Sequence, residues 1–158
     1  KAAPLSERLL GYGVRFRDNW HTAGGLLFVQ RRRATQHCDA DEGSFHWYAK
    51  GAPLSLDFGC MYEPSVEQPW LHNALSFNLR RAWNNAEITR FASLEPADFL
   101  NCEYPSTSLQ EAPEDPRASF PSWQKPPEIG WNKYAIYWRR EVLFVKGPGY
   151  LVIRDDIR

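Results

Sequence analysis

Val142-Leu143-Phe144-Val145, then Lys146-Gly147-Pro148-Gly149, then Tyr150-Leu151-Val152-Ile153: this stretch decides the fold. Two runs of β-branched, aromatic and aliphatic residues, each of strand length, flank a turn built from Gly and Pro, which reads as a β-hairpin. The same grammar recurs upstream. Val14-Arg15-Phe16-Arg17 alternates apolar and polar, and Leu26-Leu27-Phe28-Val29 follows the turn Gly24-Gly25. Ser44 to Ala49 predicts a strand with Phe45 and Trp47 on one face and His46 and Tyr48 on the other. Lys50-Gly51-Ala52-Pro53 breaks it, and Leu54 to Phe58 returns as the second arm of a hairpin. Leu54, Leu56 and Phe58 align there, while Ser55 and Asp57 face away. Ala74 to Phe77 and Glu87 to Leu94 are further candidate strands. Residues 96–130 carry seven of the twelve prolines and predict a long irregular loop, with Phe120, Trp123 and Trp131 packing part of it. No internal repeat and no long amphipathic helix is legible.

Repeated short strands with turn punctuation predict an all-β fold, an antiparallel β-sandwich (super-sandwich-like) or a barrel. Residues 1–10 read as a linker or one helical turn, and residues 11–158 as the β-sandwich domain. A chain of 158 residues with 43% hydrophobic and 24% charged content buries a real core. Nineteen basic and nineteen acidic residues give a net charge of zero, which argues against nucleic acid as a partner. No apolar run approaches a membrane span. Aromatic content of 15% suits a sheet core first, with sugar-stacking platforms in a carbohydrate groove as the sharper alternative. Arg31-Arg32-Arg33 is the one basic cluster, by default a solvated loop or strand edge and otherwise a contact for an acidic substrate. Cys38, Cys60 and Cys102 are too few and too scattered for a disulfide framework. The sequence starts at Lys1 and ends just after a strand-like run, so it reads as a piece of a larger protein.

Chemistry concentrates between Gln36 and Asn73. In an extended segment His37, Asp39 and Asp41 share one face, with Cys38 and Ala40 on the other. A strand bearing Asp57 and a turn bearing His72 would close a pocket beside them. Asp39, Asp57 and His72 form a candidate three-ligand metal set that leaves a position for water or substrate. Zinc suits one imidazole and two carboxylates, and Ca2+ or Mn2+ remains open with this donor set. The alternative is that Asp41 and Asp57 cap turns and His72 is a hydrogen-bonded, half-buried histidine. His37 stands apart as a candidate general acid or base, its ordinary pKa lying near neutrality, with a histidine satisfied within the sheet as the alternative. His21 and His46 read as structural. No GxSxG, phosphate-binding glycine loop or HExxH is present.

These residues carry a resemblance. His37-Cys38-Asp39-Ala40-Asp41-Glu42-Gly43-Ser44-Phe45, then Tyr48-Ala49-Lys50-Gly51-Ala52-Pro53-Leu54 and Leu56-Asp57-Phe58-Gly59, resemble the heparinase II/III-like polysaccharide lyases. That family's sandwich domain shows His-x-His-x-Asp-x-x-Ser-Phe, an apolar strand, a Gly turn and Asp-x-Gly. Pro69-Trp70-Leu71-His72-Asn73 resembles its following His-Asn element, and the strands from Arg140 to Asp155 resemble its later ones. The likeness spans roughly residues 11–158 and is specific between 37 and 73. One departure is plain: the second His of the pattern is Asp39 here.

The resemblance implies an enzyme that cleaves uronate-containing acidic polysaccharide by β-elimination. It implies His37 as the catalytic histidine and Asp39, Asp57 and His72 as ligands of a zinc ion. Arg31 and Arg33 become candidates for holding uronate or sulfate, with Arg15 and Arg17 beside them. In this family an N-terminal α/α toroid supplies the tyrosine acid/base and the group that neutralises the uronate. The toroid is therefore an expected partner domain, and the isolated chain is expected to be inactive. The resemblance also implies a periplasmic or secreted location. The competing expectations are a non-catalytic carbohydrate-binding or structural sandwich with a folding metal site, and a cupin-like metal enzyme.

Overall fold

The computed structural model describes residues 4–20, 25–30, 42–56, 72–75, 82–84, 86–105, 107–110, 131–134 and 136–158. Among them are twelve strands and no helix. A five-stranded antiparallel meander is formed by β1 (Glu7–Leu9), β2 (Gly13–Arg17), β3 (Leu26–Gln30), β4 (Phe45–Ala49) and β5 (Ala52–Ser55), paired in chain order. A three-stranded sheet joins β6 (Ala82–Asn84), β9 (Thr107–Gln110) and β10 (Trp131–Tyr134) in the order β10-β9-β6. A four-stranded antiparallel sheet has the order β12-β11-β8-β7, from β7 (Glu87–Ser93), β8 (Ala97–Tyr104), β11 (Trp138–Val145) and β12 (Tyr150–Ile157).

Period-two alternation builds the core. On β11, Trp138, Arg140, Val142 and Phe144 are buried and the residues between them are not. On β2, Val14 and Phe16 are fully buried. The Phe16 ring stacks against Phe91 (centroids 6.1 Å apart) and Phe144 (6.2 Å), so side chains from the five- and four-stranded sheets share one apolar layer. Ile88, Leu100, Cys102, Tyr104, Trp138 and Val142 complete it. Each large apolar side chain so enclosed contributes about 1.5–3 kcal/mol. The molecule is an antiparallel β-sandwich.

A buried ion pair within the four-stranded sheet is tied to the five-stranded sheet through Ser6. Asp98 on β8 is fully buried, with Lys146 Nζ 2.9 Å from one carboxylate oxygen. The Ser6 hydroxyl donates to the other oxygen at 2.6 Å and accepts from the Arg17 backbone N–H at 2.9 Å. Lys146 also donates to the Leu94 carbonyl at 3.0 Å.

The final hairpin lies where the sequence predicts it and extends further at both ends. The β4–β5 hairpin turns more tightly than expected. Lys50 and Gly51 alone make the turn, both at positive φ (53° and 78°), and Ala49 pairs with Ala52. Leu54 and Leu56, expected as an aligned stripe, are exposed. Three further differences stand out. Residues 7–9, inside the expected linker or helical turn, form β1 and pair with β2. Ala74 and Leu75, expected to open a strand, are not in one. The first part of the Pro-rich stretch is strand: β8 and β9 occupy 97–104 and 107–110, and 111–130 lies outside the described residues.

Candidate functional site

Four segments meet at one end of the sandwich: residues 42–45 entering β4, the end of β5, residues 72–73, and the paired strands β11 and β12. Asn73 is the hinge of this junction. Its Oδ1 accepts the Phe45 N–H at 2.6 Å, and its Nδ2 donates to the Phe45 carbonyl at 2.7 Å. The side-chain amide thus serves Phe45 as a strand neighbour would. The same Nδ2 donates to the Ser55 hydroxyl at 2.7 Å.

Arg140 fixes the junction from beneath. Nε and Nη2 donate to the two oxygens of Asp155, each at 2.9 Å. Nη1 donates to the Gly43 carbonyl at 2.6 Å and to the Asn73 carbonyl at 2.7 Å. A guanidinium alone offers this planar fork, and Arg140 is buried where its charge needs such partners. Its Cζ lies 5.4 Å from the centre of the Trp138 ring.

The floor is aromatic. Tyr104 and Trp138, register partners on β8 and β11, stack with centroids 3.5 Å apart and planes 7° apart. Gly43 crosses their rim at φ +82°, where a Cβ would overlap the Tyr104 hydroxyl and stand 2.9 Å from the Trp138 ring. Burial holds the Tyr104 phenol well above its ordinary pKa. The neighbouring Cys102 adds to this by charge and hydrogen bonding, Arg140 opposes it, and Glu42 raises it further. Glu42, Ser44 and His72 are all buried around this junction.

Of the residues singled out by sequence, His72 is described, buried beside Asn73. His37, Asp39 and Asp57, and the arginines Arg31 and Arg33, lie outside the described residues. Among the described residues no three His, Cys, Asp or Glu side chains group closely enough to hold a metal ion. In the sequence Asp57 follows Ser55 by two residues and Asp39 precedes Glu42 by three; Ser55 and Phe45 are both bonded to Asn73, the residue next to His72.

Arg140 and Asp155 were missed as parts of this junction, although a signal for them exists. The hairpin turn at 146–149 fixes the register, which sets Arg139 opposite Asp156, Arg140 opposite Asp155 and Glu141 opposite Arg154. Three consecutive opposite-charge pairs, with one arginine on the inward parity, mark a buried cation.

No protein-family model, curated protein or solved structure matches this chain.

Proposed function

We propose that this chain is the metal-holding β-sandwich half of a lyase that cleaves uronate-containing acidic polysaccharide. One observation supports this above the others. Asn73 and Arg140 draw together the three segments whose neighbours carry the candidate chemistry: 42–45 after His37 and Asp39, Ser55 before Asp57, and His72 itself. The resemblance between residues 37 and 73 assigns roles to those positions.

In the proposed reaction a base removes the proton α to the uronate carboxylate. The electron pair forms a carbon–carbon double bond, and the 4-linked oxygen leaves with a proton from an acid. His37 is the proton-handling group of this half, and Arg31 and Arg33 contact the anionic sugar. Bound zinc would neutralise the two carboxylates Asp39 and Asp57 and hold their segments against His72. The acid and the group that neutralises the uronate belong to a helical partner domain. An enzyme acting on such polymers works in the periplasm or outside the cell.

Elemental analysis of the purified chain tests this reading. The expected result is about one zinc per chain, lost in both His72→Ala and Asp57→Ala. A folded wild-type chain without metal sinks the metal site and the lyase assignment with it. Metal without an ultraviolet-absorbing unsaturated product, when the chain is combined with a helical partner domain, leaves a carbohydrate-binding sandwich with a folding metal site. The chain by itself is expected to give no such product, and turnover abolished by His37→Ala would overturn that expectation.

A further inference from the structure

The outer face of the five-stranded sheet, turned away from the core, carries a separate chemistry. On β2, Arg15 and Arg17 alternate with the fully buried Val14 and Phe16 and so point outward. On β4, His46 and Tyr48 alternate with Phe45, which packs on the core, and share that outer face. The register aligns Arg15 with His46 and Arg17 with Tyr48, each across β3. Positions two strands apart are about 10 Å apart. Trp20 lies over the arginines, its ring centre 5.2 Å from the Arg15 Cζ and 4.3 Å from the Arg17 Cζ.

Three features make this more than a packed surface. Trp20 keeps 49% and Tyr48 43% of its surface exposed, so both present aromatic area to solvent. Among the described residues of this face, two arginines stand against one carboxylate. Glu7 pairs with Arg15 at 2.6 Å, and among the described residues no carboxylate pairs with Arg17. Arg17 is also held ready, since its backbone N–H is anchored to the buried Ser6 hydroxyl and its guanidinium rests against Trp20.

We infer that this face binds an anionic sugar chain, with Trp20 and Tyr48 as stacking platforms and Arg17 as the contact for a carboxylate or sulfate. Flat aromatic faces complement the C–H faces of pyranose rings, and a guanidinium fork complements a planar carboxylate. Phosphate chains fit less well, because tight nucleic-acid binding draws on an excess of basic charge and this chain has a net charge of zero. The surface is distinct from the junction around Asn73, since Ser55 sits opposite Trp47 on the core-side parity. The choice of uronate as the anion rests on the function proposed above; the surface itself does not.

Calorimetric titration of the metal-stripped chain with oligogalacturonate tests it, with the methyl-esterified oligomer and a single-stranded oligonucleotide as controls. Binding is expected for the acidic oligomer and is expected to weaken at least about tenfold in both Trp20→Ala and Arg17→Gln. Arg8→Gln, which removes an exposed charge of the opposite strand parity, is expected to leave it unchanged. Thermal unfolding verifies that each variant is folded. Wild-type affinity in either Trp20→Ala or Arg17→Gln, equal binding of the esterified oligomer, or preference for the oligonucleotide overturns the inference. The metal analysis answers separately. Trp20-dependent binding by a chain that takes no zinc keeps this surface and removes the lyase, while a zinc-loaded chain whose binding ignores Trp20 does the reverse.

Discussion

Gly43 has no room for a methyl group. Its backbone is left-handed, and the space a Cβ would fill is taken by the Tyr104 hydroxyl and the edge of Trp138. Gly43→Ala is expected to destabilise the fold by about 3 kcal/mol or more, combining backbone strain with overlap against two fully buried rings. Chemical denaturation would measure it, and a loss under about 1 kcal/mol would show that the junction relaxes easily. Tyr104 gives a pH signature. Its folded pKa is raised above the unfolded value of about 10, so the native state holds the phenol proton after the unfolded chain has released it. Stability is then full below that pH and falls as pH rises through the folded value. Thermal melts from neutral to strongly alkaline pH should show the decline, and Tyr104→Phe should flatten it. An equally steep decline in the variant would assign the effect elsewhere. The sequence showed Gly43, Ser44 and Phe45 as a motif and His72-Asn73 as its companion. It could not show that Asn73 acts through the backbone of Phe45, since a side-chain amide carries no mark of the main-chain groups it will serve.

Single elements were legible where parity was clean. Val14 and Phe16 alternate with arginines and are buried as expected, and the 142–153 hairpin announces itself through its turn. β8 was hidden. Its inward parity reads Asp98, Leu100, Cys102, Tyr104, and a carboxylate at the first core position breaks the pattern that a strand reading needs. The prolines around it pointed to a loop instead. What rescues Asp98 is a cation 48 residues later in the chain (146 − 98), at the turn of another hairpin, and no local window contains both. The pair therefore offers its own test. Asp98→Ala leaves Lys146 as an uncompensated buried cation and should cost about 3–5 kcal/mol. Asp98→Leu combined with Lys146→Met should recover most of that loss, measured as a return of the urea midpoint at constant slope. A double variant as unstable as the single one would mean that the pair's hydrogen bonds to Ser6 and Leu94, rather than charge balance, dominate.

At the scale of the molecule, strand grammar was enough to reach an antiparallel sandwich, because turn residues and period-two burial are local properties. Which ends of which strands converge was not available from it. The approach of 42–45, 55 and 72–73 depends on Arg140, whose inward direction follows only from the complete hairpin register. The same long reach governs how the fold comes into being. Ser6 meets Asp98 across 92 residues of chain, and Gly43 meets Arg140 across 97. Arg140, Lys146 and Asp155 all lie in the last hairpin. As the chain leaves the ribosome, the five-stranded meander can close from neighbouring segments, but its inner face, which packs on Phe91 of β7 and Phe144 of β11, stays incompletely covered until β11 emerges. Closure is therefore a late event, slowed by the distance in sequence between the groups that complete it. The exposed Val14–Phe16 surface is what a chaperone would find on the unfinished chain.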